Sequence, residues 1–180
     1  MNMIHDQIVT LPVIDAERLV LRPLRKSDAG LLALYSGDKR VAEATRALPH
    51  PLPPGAVEAY ISRAQSDKRG EDVWVMDGSK SGLPEVAGVI WLTPMDRGQS
   101  EVAYWVAPAF WNTGLASEAV KALVAANPRG DKTCFAEVFQ DNPASARVLT
   151  NAGFEYLGDA EAFSLARNAA VRTWTYSRKL

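Results

Sequence analysis

The stretch FWNTGLASEAV, residues 110–120, sets a turn of small residues directly against the start of an amphipathic helix. Asn112, Thr113 and Gly114 offer little side chain. Leu115, Ala119, Ala122, Leu123 and Ala126 then recur at the spacing of one helical face, which predicts a helix over 115–126. Just before the turn, QSEVAYWVAP is short, β-branched and aromatic, and reads as a strand. A strand that runs through a glycine turn into a helix leaves several N–H groups unpaired at the positive end of the helix dipole. Two readings of the turn are open: a tight connection that needs glycine for steric reasons, or a cradle of donors for an anion such as phosphate. It is neither a P-loop nor a dinucleotide fingerprint. No Lys-Ser or Lys-Thr follows Gly114, and no three-glycine pattern follows a first strand.

Working outward, EDVWVMDG and PEVAGVIWLTP precede that strand and complete a predicted meander of three. Further upstream, ERLVLRPL reads as a strand, followed by a helix capped by Ser27 or Asp28 with Leu31, Leu34 and Tyr35 as its buried face. The four prolines of ALPHPLPPG forbid helix and suggest a stiff surface connection. Val57, Tyr60, Ile61 and Ala64 then share one face of another helix. On the C-terminal side, KTCFAEVF reads as a strand and DNPASARVLTNAGF as a helix that Asn142 caps, Pro143 begins and Gly153 ends. AVRTWTYSRK closes the chain as a strand. The pattern is one α/β domain over residues 1–180 with a mixed sheet and no internal repeat.

Composition narrows the function. With 47% hydrophobic and 23% charged residues, the 180-residue chain can bury a full core. Twenty basic residues against 21 acidic give a net charge of -1, so no global field draws in nucleic acid or an anionic membrane. No apolar run approaches the roughly 20 residues of a membrane span, and no leader is read in MNMIHDQIVT, so the expectation is a cytoplasmic protein. The single cysteine, Cys134, sits in an apolar strand and reads as packing, since neither His5 nor His50 lies in a partner motif. Arg18, Arg22 and Lys26 form the only basic spacing of note, and two of them on one strand face read as solvated. The aromatics Trp91, Tyr104, Trp105, Trp111 and Trp174 read as core rather than a base-stacking platform, with Trp91 or Tyr104 available to wall a pocket.

In order and spacing, EVAYWVAPAFWNTGLASEAV followed by FQDNPASARVLTNAGF resembles the GNAT superfamily of acetyl-CoA-dependent N-acetyltransferases. Together with ERLVLRPL it resembles the RimJ/RimL type, from about Glu17 to Arg178. The resemblance implies a mixed, mostly antiparallel sheet of about seven strands flanked by helices, with acetyl-CoA as cosubstrate and no metal. The family's pyrophosphate loop falls on Trp111, Asn112, Thr113, Gly114, Leu115 and Ala116, continuing to Ser117. Gly114 and Ala116 match. Trp111 replaces the Gln or Arg of the broad superfamily, and Asn112 and Thr113 replace a glycine and an often basic residue. Lost basic charge should weaken phosphate binding, whereas backbone donors survive. Val106 falls where the family's strand offers a backbone N–H to the pantetheine arm or the thioester carbonyl. Asn142 matches the asparagine that hydrogen-bonds the pantetheine side, and it also reads simply as a helix cap.

Acetyl transfer needs a neutral amine, a polarised thioester and a proton for the leaving thiolate. An α-amino group is about a tenth neutral at pH 7, a lysine only about one part in 2,500. The resemblance makes Glu101 the candidate base, directly or through water, with Glu137 as the alternative carboxylate. Much of the superfamily has a tyrosine acid where this chain has Leu149. The RimL type instead has a serine, here Ser145, acting as a hydrogen-bond relay. The implied acceptor is a protein N-terminal α-amine of the ribosomal-protein kind, or a small amine such as an amino acid, polyamine or aminoglycoside. A longer acyl donor, and a non-catalytic CoA-binding or interaction module, are the rivals. A homodimer is implied by the family alone, with no exposed apolar stripe evident in the sequence.

Overall fold

The computed structural model describes residues 11–180, so His5 and the reading of MNMIHDQIVT lie outside the described residues. The chain runs β1 (Ile14–Asp15), β2 (Val20–Pro23), α1 (Ala29–Ser36), α2 (Lys39–Glu43) and α3 (Ala56–Ala64). It continues through β3 (Asp72–Asp77), β4 (Gly88–Met95), β5 (Gln99–Val106), α4 (Leu115–Ala126) and β6 (Thr133–Phe139). The last elements are α5 (Pro143–Asn151), β7 (Glu155–Ser164) and β8 (Ala169–Lys179). The strands form one open sheet in the order β1-β2-β3-β4-β5-β6-β8-β7. Every pairing is antiparallel except β5 with β6, which α4 joins as a crossover. The sheet therefore has eight strands rather than about seven, because β1 and the edge strand β7 add to those read in the sequence.

Both faces of the sheet are covered, and the period of two along each strand decides which side chain goes where. In β3, Trp74 and Met76 join a core with Leu115, Ala119, Val120, Leu123 and Leu149 of α4 and α5. Val73 and Val75 join a second core with Leu32 of α1 and Val57 and Ile61 of α3, and Trp105 of β5 lies on that side. Leu32 rather than Leu34 is the inward residue of α1, since Leu34 is 65% exposed. In α4 the helix bounds are those predicted, but Val120 and Val124 are buried and Ala126 is exposed. β7 presents Tyr156, Leu157 and Phe163 to solvent, an apolar edge that the sequence did not disclose.

Of the basic residues Arg18, Arg22 and Lys26, Lys26 is exposed and Arg18 half-buried, but Arg22 is not solvated. Arg22 is 4% exposed and held between Asp28 and Asp77. Asp28 thus serves Arg22 and the backbone N–H of Arg25 instead of capping α1 with its side chain. Arg18 crosses to α4, where Glu118 accepts from Arg18 Nε at 2.9 Å and from the backbone N–H groups of Arg18 and Leu19 at 2.9 and 3.0 Å. These contacts pin the start of β2 to the first turn of α4.

Candidate active site

The parallel pairing of β5 with β6 covers only Gln99–Thr133, Ser100–Cys134 and Glu101–Phe135. Beyond it β5 stays paired with β4 as far as Val106–Gly88, while β6 stays with β8 as far as Phe139–Thr173. The sheet consequently parts between its two middle strands. The N–H of Ala107 donates to Ala87 on the β4 side at 2.8 Å, so by the alternation of an antiparallel ladder the N–H groups of Tyr104 and Val106 face the gap. Trp111 folds back and its indole N–H donates to the Val106 carbonyl at 2.7 Å, which ties the turn to the end of β5.

At the wide end of the gap stands the N-terminus of α4. Its first helical bond runs from Glu118 N–H to the Gly114 carbonyl at 3.0 Å, so the N–H groups of Leu115, Ala116 and Ser117 have no partner within the helix. Asn112 and Gly114 both take left-handed conformations, φ 60° and 83°. Asparagine reaches that region more readily than other side chains, which explains how it stands where the type usually has glycine. Arg18 answers the missing basic residue. Its Nη1 donates to the Thr113 carbonyl at 2.9 Å, and its Nη2 lies 3.3 Å from where a Cβ on Gly114 would stand. Unpaired N–H groups, a helix dipole and a guanidinium together suit a pyrophosphate.

Across the gap, Asn142 caps α5 by accepting from the Ser145 N–H at 3.4 Å, and its side-chain amide donates to Ser145 Oγ at 3.2 Å. With one lone pair so engaged, the Ser145 hydroxyl has its proton to give. Tyr104 donates its hydroxyl to the Ser145 carbonyl at 3.2 Å, and burial pushes its pKa up to about 12. Leu149, in the place of the superfamily tyrosine, is fully buried core. Burial likewise pushes the Cys134 thiol up to about 11, leaving it no thiolate character at neutral pH. Among the described residues no cluster of His, Cys, Asp or Glu could hold a metal ion, and no helix is long and apolar enough to cross a membrane.

On the far face of the sheet the gap opens into a cleft of about 400 Å³. Here Arg46, from the loop after α2, donates to Glu137 at 2.9 Å and contacts Glu101, so one guanidinium joins both candidate carboxylates across the parted strands. Thr173 donates to the other oxygen of Glu137 at 2.8 Å. A third carboxylate, Glu71, lines the same cleft. Burial pushes its pKa up, with the negative charge of Glu101 adding to that and Arg63 and Arg46 opposing it. Neither Arg46 nor Glu71 carried a signal in the sequence, because each is brought in by tertiary packing alone. A raised folded pKa means that charging Glu71 costs folded-state stability. Glu71→Gln should therefore raise Tm at pH 8, and the gain should shrink as pH falls back toward the ordinary glutamate range near 4.3. Melting curves across pH check this; a gain that does not vary with pH would show that Glu71 is not strained by burial.

The chain matches the family "Acetyltransferase (GNAT) domain" over residues 18–155. It is 28% identical over 177 residues to a protein described as uncharacterized N-acetyltransferase YoaA of Bacillus subtilis (strain 168), covering 92% of this chain and 96% of that protein. Its fold is similar to that of RimL, a ribosomal L7/L12 alpha-N-protein acetyltransferase solved with coenzyme A, at a TM-score of 0.80, 17% identity, and 94% and 98% of the two chains. It is also similar to spermidine N-acetyltransferase from Vibrio cholerae solved with CoA and spermine, at a TM-score of 0.74, 15% identity, and 90% and 95% of the two chains. The structural likenesses speak for the fold, and the family match carries the assignment: this chain belongs to the GNAT family of acetyltransferases.

Proposed function

We propose that this protein, as a single domain over residues 1–180, transfers acetyl from acetyl-CoA to a primary amine in a direct ternary-complex step. The acceptor class we favour is a protein N-terminal α-amine, the chemistry named for RimL, because an α-amine asks less of the base than a lysine does. A small amine is the second reading, favoured by the likeness to spermidine N-acetyltransferase. The observation that carries the proposal is the parting of β5 from β6 beyond Glu101 and Phe135, with the open N-terminus of α4 at its wide end. A cosubstrate held at Gly114, Leu115, Ala116 and Ser117, beside Trp111, Asn112 and Thr113, would pass between the strands to meet the acceptor on the far face.

Acetyl-CoA supplies the activated acyl group. We assign the Val106 N–H to polarising the acyl oxygen, since a fixed donor is worth most where charge develops. Asn142 orients Ser145, whose hydroxyl proton serves the departing sulfur. Glu101 takes the amine proton through the oxygen that Arg46 does not engage. We assign these roles in a cytoplasmic enzyme, with a homodimer as the family-level assembly.

Thermal-shift titration with acetyl-CoA, CoA and ATP tests the cosubstrate. At 100 times its Kd a ligand adds about 2.7 kcal/mol, which at roughly 2–4 °C per kcal/mol is a rise of about 5–10 °C. Equal shifts with ATP, or none with CoA, would sink the reading; binding without thiol release on any amine would leave only a CoA-binding module. For the proton relay, Ser145→Ala should lower kcat roughly tenfold, as expected for one hydrogen bond to a charged group. CoA affinity should stay within about twofold. Unchanged turnover would remove Ser145 from the chemistry.

A further inference from the structure

The acceptor-side cleft is continuous with a second cavity of about 480 Å³ that lies between α1, α3 and the sheet. The two share Thr45, Ala47, Glu71, Trp91 and Thr93. This cavity is on the face opposite α4 and α5, so it cannot serve the cosubstrate cradle. Its walls are Leu48, Leu52, Val57, Tyr60, Trp91 and Trp105, which makes it an apolar chamber with aromatic floor and roof. Leu48 and Leu52 come from ALPHPLPPG, whose prolines hold that loop clear of helix and let it close one side. Pockets of this size and lining are built to take apolar groups, with a few polar atoms to orient them.

Those polar atoms stand at the junction with the cleft. Glu71 lines both spaces, and Tyr60 lies close enough to feel its charge: burial first, then Glu71, keeps the Tyr60 phenol protonated. Among the described residues the Tyr60 hydroxyl makes no hydrogen bond, so it has a donor to offer an occupant. The chamber's charge is the other half of the argument. It has one carboxylate, Glu71, against Arg63 and Arg69, and Arg69 is already bonded to Asp72 at 2.8 Å. Arg46 engages the carboxylates of the neighbouring cleft. A molecule with one amine finds a carboxylate partner here, but a second or third ammonium meets no further carboxylate in the chamber, only guanidinium, hydroxyl or hydrocarbon.

We propose that this chamber receives the large apolar side group next to the acceptor amine, so that the enzyme prefers amines carried on leucine, methionine or phenylalanine over alanine, serine or a polyamine. The inference rests on the acetyltransferase reading and deepens it by naming the acceptor's side-chain class. The reacting amine sits at the junction between Glu71 and the neighbouring base Glu101, while its side group points away from the gap.

Two experiments test it separately. The first measures thiol release from acetyl-CoA with tetrapeptides that differ only at the first residue, beside spermidine. Leucine, methionine and phenylalanine should exceed alanine and serine by at least about tenfold in kcat/KM, since a hydrophobic pocket discriminates even a single methylene by about that factor or more. Spermidine should fall below all of them. The Ala56→Trp variant, which fills the chamber from the first turn of α3, should bring leucine down to the alanine rate while alanine changes by less than about threefold. The second follows tryptophan fluorescence, reporting on Trp91 and Trp105, during titration of the CoA-loaded protein with leucinamide, alaninamide and spermidine. Only leucinamide should saturate, and Ala56→Trp should abolish its signal. Equal rates for leucine and alanine, a preference for spermidine, or an Ala56→Trp variant that lowers all acceptors alike would overturn the proposal. Saturable leucinamide binding without thiol release would uphold the chamber and refute the acetyl transfer. Turnover without side-group preference would do the reverse.

Discussion

Gly114→Val is expected to weaken CoA binding on the order of 100-fold in a protein that still folds. Gly114 has φ 83°, a backbone conformation that a β-branched residue avoids. Its carbonyl accepts the first bond of α4, so a forced change in this residue re-aims the N–H groups of Leu115, Ala116 and Ser117 together. The added side chain also meets Arg18: even a bare Cβ would stand 3.3 Å from Nη2, and the two γ-methyls of valine need more room. Both the donors and the guanidinium are thus displaced from one anion. Losing two charge-assisted hydrogen bonds at about 1.5 kcal/mol each, the low end of their range, gives the stated factor. Residues 111–114 are exposed and Leu115 can keep its place in the core, so the unliganded protein should keep its near-UV circular dichroism and most of its Tm. Titration calorimetry with CoA reads the affinity. Gly114→Asn is the control, because asparagine at 112 already shows that this chain tolerates a left-handed asparagine nearby; it should retain more affinity than valine. Equal binding by all three proteins would return the turn to a purely steric connection.

Much of this site was legible because local chemistry writes it locally. The helix at 115–126 with its glycine turn and the Asn142–Pro143 start of α5 each depend on residues within about a dozen positions, and each strand of the meander on a run of six to eight. Where the sequence misled, the deciding partner was distant or the pattern was degenerate. AGLLALYS is apolar nearly all round, so its period could not choose Leu32 over Leu34, and the sheet chose instead. In α4 the valines 120 and 124 outrank Ala122 and Ala126 because larger apolar area takes the buried positions. EYLGDAEAFS has two glutamates, an aspartate and a glycine, poor strand formers, and becomes β7 only because β8 offers its edge. KRVAE, the five residues of α2, is too short to show a period. Arg46 and Glu71 reach the cleft from loops, where no periodicity marks what a side chain will face.

The largest effect on stability should come from Arg22, the residue whose burial its strand pattern concealed. Arg22→Met should cost about 3–5 kcal/mol, the range for removing one partner of a buried ion pair, or roughly 6–20 °C in Tm. Its Nε donates to Asp77 at 2.7 Å, and Nη1 and Nη2 donate to Asp28 at 2.9 and 2.8 Å. The remaining protons go to the carbonyls of Pro23 and Glu85 at 3.1 and 3.2 Å. Methionine fills most of the volume but leaves two buried carboxylates without a counter-charge. The pH dependence separates this account from lost packing. Burial alone would raise the Asp77 pKa, but hydrogen bonds from Arg22 and Ser79 outweigh it and hold the carboxyl below its usual value. A depressed folded pKa gives stability that is present above the unfolded value near 3.9 and lost as pH falls through the folded one. The parent therefore loses this increment in acid, whereas the variant has already lost it at neutral pH. The gap between them in urea unfolding should be widest near pH 7 and narrow below pH 4. Adding Asp28→Asn and Asp77→Asn to Arg22→Met should recover part of the loss at neutral pH, since neutral amides tolerate burial better than unpaired carboxylates. A gap of under about 1 kcal/mol that ignores pH would mean that Arg22 is solvated, as its strand pattern first suggests.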